Sequence, residues 1–371
     1  MSPDDFFAIE VEVAGEPTRV MTHQGPHFED LLAVFIAQEY GTTEFLNEYT
    51  AGGDLYVGCG EGPLDEHAHY DRDRHMEKKC AALLVAEALG VEKDSSLRQL
   101  LKFALFTDRG KPQHDKYVDV VEHYHPLTPD QRIKEQWREF AESPEAYDCD
   151  PMVIIDRAMD EIRLFHRKQV RFFAACDAVK KSAVQFDVPY EDDSVLCAVV
   201  VRDDNPFINA AARSRLKADI VVQRKSDGHV QIHTREREPE IPMWDVHRAL
   251  NVFEQEAEGN VRVTDWRVLG KDGKIDDDGK WFLTRHGQIL NGSESYPDVV
   301  VTLLTDEQIR RAIEIALNQN AFDEGRAGDC VLGKCTSTRK SQCPLFKFGF
   351  SRCQKCRCSG SRSRRREACP A

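Results

Sequence analysis

The feature that most constrains the fold of this chain is the alternation of strand-like and helix-like segments over its first 325 residues. Apolar residues at every second position from Phe7 to Val13 are typical of a half-buried strand. Residues 28–40 place their apolar side chains on one side of a helix, and residues 195–201, 220–224 and 229–233 again resemble short strands. This alternation predicts an α/β fold with a mostly parallel sheet.

The length of 371 residues suggests two domains and a small appendage. We predict an N-terminal α/β domain over residues 1–125, a helical connector over 126–189, a second, smaller α/β domain over 190–325 and a Cys-rich tail over 326–371. The longest apolar runs are seven residues, far below the roughly 20 that cross a bilayer. With no basic-then-apolar signal at its N-terminus, the chain is expected to be soluble, cytoplasmic and without a membrane partner.

The charge of the chain is unevenly distributed. The formal net charge is −14, but Cys330 to Ala371 hold four Lys and seven Arg against one Glu, so the tail carries +10 and the preceding 329 residues carry −24. An acidic body joined to a basic tail keeps a nucleic-acid partner possible despite the negative total.

The tail also holds seven of the twelve cysteines. Four thiolates on loops bind Zn²⁺ tetrahedrally and organise a segment that has almost no core. The preferred zinc-binding set is Cys330, Cys335, Cys343 and Cys353. An iron–sulfur cluster or a reactive, unstructured tail remains an alternative. Phenylalanines at positions 346, 348 and 350, interleaved with basic residues, favour stacking on nucleic-acid bases.

Two groups of histidines and carboxylates follow predicted strands near the N-terminus. The first contains His23, His27 and Asp30, at a strand tip, in a turn and in the first helical turn, where one ion is within reach of all three. The second contains Asp65, Glu66 and His67. Imidazole and carboxylate ligands suit Mn²⁺, Zn²⁺ or Fe²⁺. Two such groups predict a pair of metal ions that hold a phosphate, although solvated loop residues would give the same pattern.

The segments THQGPHFED, LDEH and FTDRG resemble, in order, the motifs of the DHH phosphoesterase superfamily. They are most similar to its branch related to the melanocyte-proliferating-gene exonucleases. The resemblance implies a DHH-like N-terminal domain in which the first histidine group and Asp108 join the second group at a metal site for Mn²⁺ or another divalent cation. It assigns catalytic roles to Asp65, His67 and Asp108. Glu66 stands where the family has its central histidine.

The resemblance further implies that the second domain holds the substrate, with Arg224 and His229 contacting phosphate. The predicted function is metal-dependent phosphodiester hydrolysis, with exonucleolytic action on RNA or short oligonucleotides. One alternative is a non-catalytic nucleic-acid-binding or regulatory protein with a zinc-binding tail. A second is a phosphatase that acts on nucleotides.

Overall fold

A computed structural model describes residues 6–60, 62–65, 79–108, 129–148, 150–190, 194–235, 241–292, 299–318, 322–332, 334–338 and 340–354. The chain divides into two compact units, Met1–Phe173 and Ala174–Ala371. Both units are α/β, which confirms the predicted fold class at that level. Within the described residues, no helix has both the length and the apolar character needed to span a membrane.

The first unit consists of a small sheet and the helices that follow it. Its strands are β1 (Phe6–Val13), β2 (Glu16–His23), β3 (Thr50–Ala51) and β4 (Asp54–Tyr56). Its helices are α1 (Phe28–Tyr40), α2 (Thr43–Tyr49), α3 (Ala81–Ala88), α4 (Arg98–Asp108) and α5 (Pro129–Glu142). A long helix, α6 (Met152–Ser182), begins in the first unit and ends in the second.

The sheet of the first unit is mixed rather than mostly parallel as predicted. Its order is β1-β2-β4-β3, and the β2–β4 pair is parallel whereas the two outer pairs are antiparallel. The reason is the connection between β1 and β2. Ala14 and Gly15 both have positive φ angles, of 54° and 81°, which suits a two-residue hairpin turn, and such a turn makes the two strands antiparallel.

Helix α1 is the central element of the first unit, since every residue from Phe28 to Ala37 is buried. It packs against α3, α4 and the sheet. Near its end, the Tyr40 hydroxyl and the Ser96 hydroxyl lie 2.8 Å and 2.9 Å from Nε2 of His166 on α6. Burial lowers the pKa of His166, so the ring is neutral at pH 7 and joins these elements through hydrogen bonds rather than charge.

The second unit contains a larger sheet and its covering helices. Its strands are β5 (Val184–Pro189), β6 (Val195–Arg202), β7 (Ile220–Arg224), β8 (Val230–Thr234), β9 (Phe282–Leu283) and β10 (Ile289–Asn291). Its helices are α7 (Ile208–Leu216), α8 (Met243–Ala257), α9 (Trp266–Leu269), α10 (Asp306–Leu317) and α11 (Ala327–Val331), and short 3₁₀ turns lie at Glu324–Arg326 and Pro344–Phe348.

The second sheet is also mixed. Its order is β5-β6-β7-β8-β10-β9, with β6–β7 parallel and the other pairs antiparallel. The β7–β8 hairpin predicted from Ser226-Asp227-Gly228 is present, with Gly228 at φ +90°. Strand β5 lies inside the region predicted as a helical connector, so that prediction is wrong for its last residues. The strand follows α6 after a single residue, and no loop residues mark the change from helix to strand in the sequence.

A buried carboxylate organises the core of the second unit. Glu254 on α8 is 3% exposed and accepts hydrogen bonds from Nζ of Lys280, Nε1 of Trp281, the Thr302 hydroxyl and the backbone N–H of Leu303. A buried charge that is fully hydrogen-bonded is tolerated, whereas one left unpaired is strongly destabilising. Glu254 therefore connects α8 to the residues that flank β9 and α10.

Candidate metal centre

The carboxyl ends of β2 and β4 form one edge of the first sheet, because the two strands run parallel with Met21 opposite Tyr56. The pairing continues one step further, since the N–H of Val57 donates to the carbonyl of Met21 at 3.0 Å. His23 ends β2, and Gly58 follows β4. Ligands bind at such edges in open α/β sheets because several loops meet there.

Asp30 lies just beyond this edge, in the first turn of α1, and its side chain is fully buried. Its Oδ2 accepts the backbone N–H of His27 at 2.9 Å, which satisfies a donor at the helix N-terminus. Its Oδ1 lies 3.4 Å from Nδ1 of His23 and accepts no hydrogen bond within the described part of the chain. A buried carboxylate oxygen in this position is costly unless a cation faces it.

Three ligand groups converge at the same helix terminus. One donor atom from each of His27, Glu29 and Asp30 lies within 4.8 Å of the other two. Donors bound about 2.1 Å from one ion are separated by at most roughly 4.2 Å, so a small adjustment brings all three to a single cation. The imidazole is exposed whereas both carboxylates are buried, which leaves the site open on the histidine side.

Gly58 makes room for this arrangement. Its φ is +63°, and a Cβ at this position would lie 2.5 Å from Oδ1 of Asp30 and 3.2 Å from Cβ of Ala81. Ring atom Cε1 of His23 is 3.6 Å from the same point. The backbone conformation and the close approach both require glycine.

The site opens into a cleft of about 390 Å³. Its described lining residues come from three parts of the first unit, namely the β2–α1 loop, the end of α4 and the start of α5, and they are His23, Gln24, His27, Glu29, Thr107, Asp108, Asp130 and Lys134. The structure therefore brings Asp108 to the same cleft as His23 and His27, although some 80 residues separate them in sequence.

Helix α5 also contributes to the cleft, which no motif in the sequence indicates. Asp130 and Lys134 line the cleft and form an ion pair at 2.8 Å. On the same helix, Nε1 of Trp137 donates to the carbonyl of Pro26 at 3.1 Å, so α5 is fixed against the loop that carries His27. The sequence signal was an amphipathic segment with a tryptophan, which predicts a packed helix but not what it packs against.

The second sequence motif is described only in part. Asp65 is 4% exposed, and its loop reaches the site edge through the N–H of Gly58, which donates to the carbonyl of Leu64 at 2.9 Å. Asp65 does not belong to the three-donor group. Glu66 and His67 lie outside the described residues.

In the second unit, the residues predicted to contact phosphate make internal contacts. The Arg224 guanidinium donates to Oδ1 of Asp306 at 2.5 Å and also to the carbonyls of Gly228 and Leu304. Burial tends to raise the pKa of Asp306, but the hydrogen bonds and charges of two arginines, Arg224 among them, outweigh it and lower the pKa. His229 lies 3.0 Å from the carbonyl of Val299 through Nε2.

The four tail cysteines predicted to bind zinc lie together. Cys330, Cys335, Cys343 and Cys353 all line one small cavity of the second unit. The remaining three tail cysteines are outside the described residues.

The chain matches no protein-family model, and no curated protein is significantly similar to it in sequence.

Proposed function

We propose that the first unit is a DHH-like, divalent-cation-dependent phosphodiester hydrolase that acts on nucleic acid or nucleotides. The observation that carries this proposal is that His23, His27 and Asp108 line one cleft at an end of the first sheet. Buried Asp30 lies directly behind it, with Oδ1 3.4 Å from Nδ1 of His23 and a carboxylate oxygen within 4.8 Å of a ring nitrogen of His27. Their order along the chain follows the DHH-type motifs, and residues far apart in sequence meet at one cleft.

The charge of the cleft supports a cation requirement. Glu29, Asp108 and Asp130 line it, and Lys134 is the one Lys or Arg among the described lining residues. Because Lys134 is paired with Asp130, little positive charge remains for a phosphate anion. A divalent cation would offset the carboxylates and provide the attraction that the side chains lack.

A divalent cation held by His27, Glu29 and Asp30 would supply Lewis acidity toward a phosphoryl oxygen and a lowered pKa for water. The protein residues orient the reaction around it. Oδ1 of Asp30, 3.4 Å from Nδ1 of His23, favours a proton on that nitrogen and leaves Nε2 as an acceptor or ligand. Asp108 lines the same cleft outside the three-donor group, and we assign it the role of accepting a proton there.

The test uses the full-length protein, stripped of metal and then supplied with Mn²⁺. Hydrolysis of bis-p-nitrophenyl phosphate and of an oligonucleotide panel is measured for the native chain, His27→Ala and Asp30→Asn. Both variants should lose at least tenfold in Mn²⁺-dependent rate, since changes even around a metal ligand typically cost 10–100-fold. Asp160→Asn is the matched control, because the Asp160 side chain is 79% exposed on α6.

Two results would refute the proposal. Mn²⁺-dependent hydrolysis that is unchanged in His27→Ala and Asp30→Asn would place the activity elsewhere. A native chain that binds oligonucleotides without hydrolysing them, with or without Mn²⁺, would favour the non-catalytic alternative. An Asp65→Ala, His67→Ala double variant tests the second motif separately, and unchanged activity would remove that motif from the site.

A further inference from the structure

The small cavity lined by Cys330, Cys335, Cys343 and Cys353 lies in the C-terminal part of the second unit. The four cysteines come from different local structures. Cys330 is on α11, Cys335 is in the following loop, Cys343 precedes the 3₁₀ turn at Pro344–Phe348, and Cys353 follows that turn. Such convergence of four thiol-bearing residues along a 24-residue stretch needs a physical cause.

Part of the cause is that the end of this stretch is anchored in the core. Phe348 and Phe350 are buried and their rings stack at 5.0 Å. The guanidinium of buried Arg352 donates to the carbonyls of Ala316 and Ile315 at 2.9 and 2.5 Å, where it caps the end of α10. The positions of Cys343 and Cys353, on either side of these anchors, follow from ordinary packing.

The positions of the loop residues have no such explanation. Between α11 and Cys343 the described residues form no helix or strand, and Leu332 is 70% exposed. The hydrogen bonds of this loop include the Cys343 N–H donating to the Ser337 hydroxyl at 3.0 Å and the Arg326 guanidinium donating to the Ser341 hydroxyl at 2.7 Å. A segment without an apolar core usually depends on a metal or disulfides for its structure.

The dimensions of the cavity favour a single ion. Its volume is about 20 Å³, and roughly 10–15 Å³ is enough for one water-sized body. Arg326 also lines the cavity, so a cationic side chain lies beside the position where thiolates would accumulate negative charge.

We propose that Cys330, Cys335, Cys343 and Cys353 form a structural zinc site that holds residues 322–354 on the second unit. Each thiol gives up its proton on binding, and the resulting tetrathiolate carries two negative charges beside Arg326. Sulfurs about 2.3 Å from zinc lie about 3.8 Å apart. Among the described residues, only His27, Glu29 and Asp30 form a group of three donor atoms within 4.8 Å of one another. No three sulfurs of the four described tail cysteines are that close together, so the ion would draw them closer than they stand here.

The experiment measures the metal content of the full chain purified under reducing conditions. The proposal predicts about one zinc per chain in the native protein, and at least a tenfold loss of zinc affinity in Cys335→Ser and Cys343→Ser. Cys197→Ser is the matched control, since Cys197 is a half-buried cysteine of the same unit on β6. A variant in which Cys356, Cys358 and Cys369 are all serine should retain the zinc.

Substitution of Co²⁺ in the native chain provides a measurement that does not depend on the folding of a variant. Four thiolates give intense sulfur-to-cobalt charge-transfer bands and the visible bands of tetrahedral Co²⁺, and added zinc should abolish both. The absence of these bands, zinc retained in Cys335→Ser, iron with acid-labile sulfide, or two disulfides in the reduced preparation would each overturn the proposal.

This site is independent of the proposed hydrolase activity. His27→Ala, which tests the first unit, should leave the zinc in place, whereas Cys335→Ser should leave Mn²⁺ binding in the first unit intact. If one proposal fails, these two variants show which.

Discussion

Gly58 allows a direct test of how the first unit is built around Asp30. Alanine at position 58 would place a methyl group 2.5 Å from Oδ1 of Asp30 and 3.2 Å from Cβ of Ala81. Because Oδ2 of the same carboxylate holds the N–H of His27, Asp30 cannot move away without weakening the start of α1. Gly52, in the β3–β4 turn, has nearly the same φ of +64°, but a methyl group there would have no atom of the described residues within 4 Å.

The two substitutions therefore differ mainly in the steric term. Placing alanine in a left-handed conformation costs about 1–2 kcal/mol at either position, and the effect on the unfolded chain is the same for both. Overpacking at Gly58 adds about 1–3 kcal/mol. Gly58→Ala should accordingly reduce the free energy of unfolding by about 2–5 kcal/mol, and Gly52→Ala by about 1–2 kcal/mol.

Urea denaturation followed by far-ultraviolet circular dichroism measures both losses, and equal m-values would show that the native and unfolded states remain comparable. Titration with Mn²⁺ then shows whether Gly58→Ala also weakens metal binding, as expected if the methyl group displaces Asp30. Equal destabilisation of the two variants, within about 0.5 kcal/mol, would refute the close contact between Gly58 and Asp30.

Two further predictions concern the second unit. Glu254→Gln leaves some of its four donors facing an amide NH₂, so it should cost about 3–5 kcal/mol of unfolding free energy. The control, Glu256→Gln on the exposed side of the same helix, should cost under about 1 kcal/mol. Similar losses for the two variants in urea denaturation would contradict the buried role of Glu254. Burial lowers the pKa of His247 to about 4, so the unfolded chain binds more protons below pH 6.5 and stability falls as the pH drops toward 4. Between pH 7.5 and 5 this residue should account for about 2 kcal/mol of that loss of stability. His247→Gln should remove this part of the pH dependence, whereas His286→Gln, at an exposed position, should retain it. Parallel stability–pH profiles for the native chain and both variants would contradict the prediction.

The accuracy of the sequence predictions follows from how local each signal is. The segment 28–40 and helix α1 coincide, and so do 220–224 and β7, because periodicity over a few residues determines whether a side chain is buried. Strand pairing is not local. The alternation of strands and helices predicted mostly parallel sheets, whereas Ala14-Gly15 makes the first pair antiparallel.

In the candidate site, too, local features could be predicted from the sequence and tertiary contacts could not. His23, His27 and Asp30 lie within eight residues, so a strand, a turn and a helix start were enough to predict that they lie close together. Asp130 and Lys134 could not be predicted in the same way, because no motif connects α5 to the loop that it covers. Their position depends on tertiary packing, including the bond from Trp137 to the loop.

The electrostatic balance around Asp30 bears on which kind of ligand the cleft can accept. Glu29 and Asp30 are in the first turn of α1, and the helix N-terminus offsets roughly half a charge there. Asp108 and Asp130 add two further carboxylates, and Lys134 neutralises one. The remainder is roughly −2.5, taking the helix contribution as about +0.5. A monovalent cation leaves most of this charge, whereas a divalent cation nearly cancels it and permits a phosphate to approach. The same fold that buries Asp30 as a helix cap therefore gives this end of the sheet a negative charge, which the proposed divalent cation would offset before a phosphate could bind.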